Sequence, residues 1–540
     1  MGSDMQIQRG VIWHTYTTQS PEYQDAEKFS SDLINTGLFL AILTPHNTFK
    51  YLSKNTPSST KISMRYENNE NAVTVEGGDK IHASGVCALT ATAFSQCINI
   101  RLSERKLFHT SGNNYYENII CCQKPILVKN NDVEFFIHPI IRLYKNGIAH
   151  VTFVDTEERN VDLNDFIKNI LNLPLKLNSS ITTSIEFAKS SLLLDYSGMP
   201  LLSRLIAKCS IKKSLKLLND NSEDLEVGEF KVTGRYIDYT NLMQIQHNLS
   251  DIARYVIAII FDKTKKRTIK DYLLGRNLSE FYNFWQGKPS VYIFEHDNQK
   301  NNATDNFQSN KSLVYSLLGK NHLLTNIKHT KKIIDHRAFD DFNFFSEQSL
   351  ALTILTCKVK KEFFTGTYTE ENLMWDNQVK SDLRDFISFS YDSTIEKIGN
   401  EKSHLGLAKI QEDILLFEEW LRIFSRKYGE IQDFTFNTLN SIDIKRARQS
   451  VIELIKSRIQ VLKLIDADLN DKSNKKITMA FGLIASTSLS PILVKPLFET
   501  LNLSLLIKKS GLKSYEDAIY FATSMVLVWL IIKLLNFRRK

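Results

Sequence analysis

ITMAFGLIASTSLSPILV, residues 477–494, runs eighteen positions without a charge, and AIYFATSMVLVWLIIKLLNF follows at 518–537 before the chain stops at Arg538, Arg539 and Lys540. Eighteen helical residues span about 27 Å, close to the roughly 30 Å of a bilayer's hydrocarbon layer. Lys475 and Lys476 stand at the entrance of the first stretch, and Pro491 and Pro496 mark its end. In the second, Lys533 lies about one turn from the basic tail, near enough to snorkel, while Tyr520 and Trp529 suit interfacial positions. These features predict an α/β cytoplasmic region followed by long stalk helices and a C-terminal two-helix transmembrane hairpin, with both chain ends at the cytoplasmic face of the membrane. The rival reading is a buried hairpin in the core of a protein without a membrane segment.

Upstream, the pattern divides into an N-terminal α/β domain (5–175), a mixed α/β sensor region (176–400), stalk helices (401–476) and the hairpin with its basic tail (477–540). In the first domain Phe135–Tyr144 and Ile148–Val154 flank Asn146-Gly147, which predicts a two-residue hairpin turn with positive φ at both positions. Val161-Asp-Leu-Asn-Asp-Phe-Ile starts a helix that Asp162 or Asn164 can cap. In the second region Ser250 is placed to cap Asp251–Phe261. Ser290–Glu295 and Leu352–Val359 read as strands, and Asn219–Glu226 and Asp297–Asn310 as loops. Leu407, Ile410, Ile414, Phe417, Leu421, Phe424 and Tyr428 then recur at three- and four-residue steps, and Gly429 can end that helix. Ile452, Ile455, Ile459, Leu462 and Leu469 form a second seam, broken at Asp466. Such seams suit helices packing on copies of themselves, and a hairpin within one chain fits the same spacing.

Composition narrows the classes. The 540 residues allow several domains, and 43% hydrophobic content with a mean hydropathy of -0.22 makes any membrane part a minority. A net charge of +8 suits an anionic ligand, an anionic leaflet or a plain solvated surface. Six cysteines show neither metal spacing nor a disulfide framework, which points to a reducing compartment. The start, MGSDMQIQRG, has no apolar core of the signal-peptide type, and MGSD reads as an expression scar.

Candidate site residues follow from chemistry. Thr478, Gly482, Ser486 and Ser490 recur every four residues as a small, polar stripe, suited to close helix packing or to lining a pore. Lys263, Lys265, Lys266 and Arg267 form one basic cluster; Lys331, Lys332 and Arg337, with Lys328 and His336, form another. Either suits phosphate, and Phe281, Tyr282 and Trp285 could stack a base. Solvated basic faces give the same pattern. No P-loop, HExxH, GxSxG or dinucleotide fingerprint occurs, so no catalytic residue, metal site or enzyme activity is expected; His82 and Cys87 read as structural.

With its long helix running into a first apolar segment, a short connection and a second segment ending Asn536-Phe-Arg-Arg-Lys540, the layout resembles the CorA divalent-cation channel superfamily. That family's Gly-Met-Asn signature is absent; Phe498-Glu-Thr-Leu-Asn-Leu503 stands in its place, which argues against selective magnesium transport. The chain is most similar to the divergent CorA-like membrane effectors of type III CRISPR antiviral systems. The resemblance implies a ring-shaped homo-oligomer, a pentamer, in the lipid bilayer of a bacterial inner membrane, gated by a small anionic nucleotide second messenger such as SAM-AMP, with no nucleic-acid polymer as partner. The alternatives are a divergent divalent-cation transporter and a membrane-anchored sensor or scaffold without conduction.

Overall fold

The architecture is organised around strand β1 (Gln6–Gln19), whose residues alternate between two differently covered faces of a large mixed sheet. The computed structural model describes residues 5–53, 56–67, 70–75, 88–108, 116–130, 133–173, 180–227, 230–239, 248–265, 268–275, 287–321, 333–337, 340–362, 364, 368–425, 429–489, 492, 494–501, 503 and 513–537. Two units emerge: residues 1–396 with 412–451, and residues 397–411 with 452–540.

The first unit holds the 16-stranded sheet. Its further strands are β2 (Phe39–Leu43), β3 (Thr48–Ser53), β4 (Thr56–Glu67), β5 (Glu70–Val75), β6 (Asn118–Gln123), β7 (Ile126–Asn130), β8 (Val133–Tyr144) and β9 (Ile148–Asp155). Then come β10 (Arg159–Asp162), β11 (Ser180–Ser184), β12 (Glu223–Val227), β13 (Phe230–Asp238), β14 (Lys288–His296), β15 (Phe342–Ser346) and β16 (Ala351–Leu355). The main order is β15-β16-β14-β1-β9-β8-β6-β2-β3-β4-β5, antiparallel except for the parallel pair β14–β16.

Successive strand residues point to opposite faces. One face presents Ile12, Tyr16, Ile141, Val151, Phe153 and Ile293, all buried in one apolar cluster. That cluster takes in side chains of α1 (Ala26–Ile34), α3 (Ile185–Gly198) and α5 (Leu249–Thr264), and each large side chain buried there contributes about 1.5–3 kcal/mol. Helix α2 (Ala88–Phe108) precedes β6, and α4 (Leu201–Asp220) and α6 (Ile269–Leu274) follow α3 and α5. The other face carries Thr15, Thr17, Arg142, His150, Thr152 and Lys288, also buried, and hydrogen-bonds α10 (Glu370–Asn400). Shorter helices α7 (Ala303–Ser309), α8 (Lys311–Leu318) and α9 (Cys357–Glu362) flank the last strands, and α11 (His404–Ser425) and α12 (Gly429–Leu439) follow α10.

The β8–β9 hairpin forms where expected, but its turn differs. Gly147 has φ +81° while Asn146 is not left-handed, and the Gly147 N–H donates to the Tyr144 carbonyl at 3.0 Å. Lys145 to Gly147 therefore make a three-residue connection with its glycine last, not a two-residue turn with both residues at positive φ. Asp162 caps its helix as expected, accepting from the Asp165 N–H at 2.9 Å. Helix α5 is capped by Asn248, two residues before the expected Ser250, because Asn248 and Asp251 satisfy each other's backbone N–H groups in a capping box. The stretches expected as loops at 219–226 and 297–310 contain the end of α4, strand β12 and helix α7.

The second unit contains the distal part of the 48-residue helix α13 (Ile442–Leu489), with α14 (Lys495–Thr500) and α15 (Glu516–Phe537). Within it the Arg458 guanidinium donates to the Glu401 carbonyl at 3.1 and 2.9 Å, and Phe498 packs edge-on to Tyr520 at 5.2 Å. Helix α13 runs through Asp466 without the expected break. Its buried stripe is Ile444, Val451, Ile455 and Leu462, at seven- and four-residue steps, whereas Ile452 and Leu469 are exposed.

The expected C-terminal transmembrane hairpin is overturned. Among the described residues no helix is long and apolar enough to cross a membrane. The transmembrane and channel assignments and the inner-membrane location rested on that hairpin and are withdrawn. In α13, Asp468, Asp471, Lys472 and Lys475 occupy the turns before residue 477. Within the expected span Thr478, Gly482, Ser486, Thr487 and Ser488 dilute the apolar residues. Helix α15 begins with Glu516 and Asp517, and Tyr520, Thr523 and Ser524 place polar atoms in its early turns.

Candidate functional site

In the first unit, a cleft of about 490 Å³ opens beside the end of β1, lined by Ser20, Pro21, Glu22, Phe29, Phe261, Thr264 and Lys265. Each wall has a local cause. Ser20 is tied to the β8–β9 hairpin: its N–H donates to the Gly147 carbonyl at 2.8 Å and its hydroxyl to the Ile148 carbonyl at 3.1 Å. Gly147 is required there. A Cβ at that position would stand 2.9 Å from Glu22 Cγ and 3.1 Å from the Ser20 carbonyl, on a backbone that already favours glycine. Phe29 comes from α1, which Asp25 caps, and Phe261 and Thr264 come from the last turn of α5.

Lys265 terminates that helix, its N–H donating to the Phe261 carbonyl at 2.9 Å while its backbone turns to extended geometry. The C-terminal end of a helix carries partial negative charge, which Lys263 and Lys265 offset. The cleft is thus lined by two phenyl rings, one carboxylate, one ammonium group and two hydroxyls that already donate to the Ile148 and Ile260 carbonyls.

The expected ligand residues divide sharply. Lys265 lines the cleft, and Lys263 is exposed on the last turn of α5. Arg337 is engaged elsewhere: its guanidinium lies 2.7 Å from Asp340 and donates to the Thr304 hydroxyl at 2.7 Å. Lys266, Arg267, Lys331 and Lys332 lie outside the described residues, as do Phe281, Tyr282, Trp285, His82 and Cys87. Of the proposed pore stripe, the Thr478 hydroxyl donates to its own helix at the Asn474 carbonyl, 2.8 Å away; Gly482 and Ser486 lie on α13, and Ser490 is outside the described residues. The sequence reading missed Glu22, Phe29 and Phe261, which are distant along the chain and lack a motif. Besides Lys265, the sequence marks Asn146-Gly147, the support behind Ser20 and Glu22.

A second concentration of chemistry lies between the sheet and α10. Arg142 pairs with Asp382, both essentially without exposure, and Glu104 lies 3.9 Å from the same guanidinium. Gln378 donates to the Thr15 hydroxyl at 3.0 Å and to Asp382 at 2.7 Å, and accepts from the Tyr292 hydroxyl at 3.1 Å. Lys288 reaches Asp385 at 3.2 Å and Ser346 at 3.3 Å. Burial pushes the Asp385 carboxyl up to about 6 against the opposing pull of Lys288, and burial likewise lowers Lys288. These acids and bases pair with one another across the sheet and α10, so the layer fixes the docking of α10. Among the described residues no group of three or more His, Cys, Asp or Glu side chains could hold a metal ion.

No protein-family model, no curated protein and no solved structure matches this chain.

Proposed function

We propose that this chain is a ligand-responsive sensor whose α/β unit binds a nucleotide carrying a single exposed phosphate group in the cleft beside β1. The observation that carries the reading is Lys265, one of the cations expected to hold a phosphate, lining a cleft that also contains Phe29 and Phe261. A volume of about 490 Å³ falls within the usual range for small-molecule sites, roughly 300–1,000 Å³. The two rings suit the faces of a base, and Ser20 and Thr264 suit sugar hydroxyls. Glu22 favours a ligand that also carries an amino or other cationic group. A single ammonium balances one phosphate better than a triphosphate, because the negative end of α5 and the Glu22 carboxylate oppose further anionic charge. SAM-AMP, the messenger implied by the CorA-like effector resemblance, combines an adenine, a phosphodiester and cationic centres and belongs to this chemical class.

The reading includes no conduction and no membrane step, and in this respect keeps only the sensor or scaffold alternative. Helix α13 begins in the α/β unit and continues into the helical unit, which supports an output carried along one continuous helix. A ligand shifts such a device only through unequal affinity for its two states.

Thermal unfolding with and without AMP, ATP and SAM-AMP tests the proposal. A ligand present at about 100 times its dissociation constant stabilises the folded chain by about 2.7 kcal/mol, so AMP or SAM-AMP is expected to raise Tm measurably and more than ATP does. Identical transitions with all three nucleotides and with none would overturn the reading.

A further inference from the structure

We infer that this chain self-associates head to tail, the exposed face of α4 in one copy docking on the exposed face of α11 in the next. Both faces belong to the first unit and both are left without apolar cover. On α4, Leu202 and Ile206 are 75% and 84% exposed, with Leu205 beside them. The turns that follow expose Lys208, Lys212, Lys213 and Lys216, and no acid occurs in the helix before Asp220. On α11, Leu415 and Leu416 are 59% and 51% exposed, with Ile423 two turns on. Around them stand Glu412, Asp413 and Glu419, all exposed; Arg422 there is already paired with Glu419, and the exposed Lys409 one turn earlier reduces the acidic excess without reversing it.

The charges select the occupant. None of the four α4 lysines takes part in an ion pair among the described residues, and neither does Glu412 or Asp413. Two copies meeting through α4 would set cations against cations, and two meeting through α11 would set acids against acids. Like charges across an interface oppose association, so both symmetric arrangements are disfavoured. The complementary arrangement brings leucine and isoleucine onto leucine and isoleucine and lysine onto carboxylate. Exposed apolar side chains of this density, rimmed by charge, mark an interaction surface.

Because the two patches differ, each docked copy keeps one of each kind free. Such a heterologous contact propagates into a ring where the rotation closes and into an open chain where it does not. Cys209 lies on the exposed side of α4 among these residues and is the exposed member of the described cysteines, so its thiol reports coverage of that face.

Sedimentation of the full chain over a concentration series at low and high salt, with maleimide labelling of Cys209, tests the inference. Assembly is expected at low salt, weakened by salt, with Cys209 labelling slowed as copies associate. Lys212→Glu with Lys213→Glu, or separately Glu412→Lys with Asp413→Lys, should weaken association by at least about tenfold. An equimolar mixture of the two variants should restore it, since each then offers the charge the other needs; this rescue separates a broken contact from a misfolded chain. A wild type that stays monomeric throughout overturns the inference. So does an assembly indifferent to both reversals, or a chain that binds anionic vesicles or an acidic peptide through α4 without self-association.

Discussion

Lys288 on β14 and Asp385 on α10 face each other at 3.2 Å with side chains only 4% and 9% exposed. This ion pair is one link in the polar layer that joins the sheet to α10. Removing one member of such a pair strands the other charge in a poorly solvated place and typically costs about 3–5 kcal/mol, whereas replacing both by apolar residues is often close to neutral. Lys288→Met and Asp385→Leu are each expected to lower the urea midpoint strongly, and the double variant to recover most of the loss. A double variant as unstable as the sum of the singles would show that the two groups are not coupled.

His14 predicts an acid response. It lies on the apolar side of β1, and burial pushes its imidazole down to about 3 from the usual value near 6.5. The folded chain then binds fewer protons than the unfolded chain between those values, so stability falls as pH falls through that window. At pH 5 this ring alone costs about 2 kcal/mol relative to neutral pH. Asp385, raised to about 6, has the opposite sign: its contribution is present at low pH and is lost as pH rises through its folded value. His14→Gln is expected to be less stable than wild type at pH 7 yet to lose less on acidification. Denaturant curves at pH 7 and pH 5 measure this, and an unchanged pH dependence in the variant would contradict the assignment.

Gly147 links fold and cleft. Its φ of +81° and the 2.9 Å approach of an added Cβ to Glu22 predict that Gly147→Ala costs about 1–3 kcal/mol and displaces Glu22. The variant should unfold at lower temperature and bind nucleotide more weakly, by calorimetry. Wild-type affinity together with wild-type stability would remove this glycine from the account.

Much of the local structure was legible because a few residues announce it through short-range chemistry. Asn146-Gly147 marks the β8–β9 hairpin, Asp162 its helix start, and the three- and four-residue steps from Leu407 the helix α11. The polar layer was not legible. Thr15, Thr17, Arg142, His150 and Lys288 alternate with apolar neighbours as a solvated strand face would, and Asp376-Asn-Gln-Val-Lys-Ser-Asp382 reads as an exposed helix turn. Each set is buried only because it finds the other, a long-range pairing that periodicity does not encode. The C-terminal stretches misled for the reverse reason: the absence of charge in 477–494 weighed more than its hydroxyls and glycine.

The cleft was half legible. The basic cluster after α5 pointed to Lys265, while Glu22, Phe29 and Phe261 come together only when α1 and α5 pack on the same side of the sheet. Phe261→Ala therefore separates stacking from charge. It should weaken AMP binding by about 1–3 kcal/mol while leaving its salt dependence unchanged, as titrations at two ionic strengths would reveal. Loss of the salt dependence instead would place the phosphate, not the base, against that ring.

The most direct test of the sensor reading is calorimetric titration of the full-length chain with AMP, comparing wild type and Lys265→Glu. Saturable binding at one site per chain is expected for wild type, with affinity reduced at least about tenfold by the charge reversal. Absence of binding to the wild type, or equal affinity in the two proteins, would contradict a phosphate held by Lys265 in this cleft.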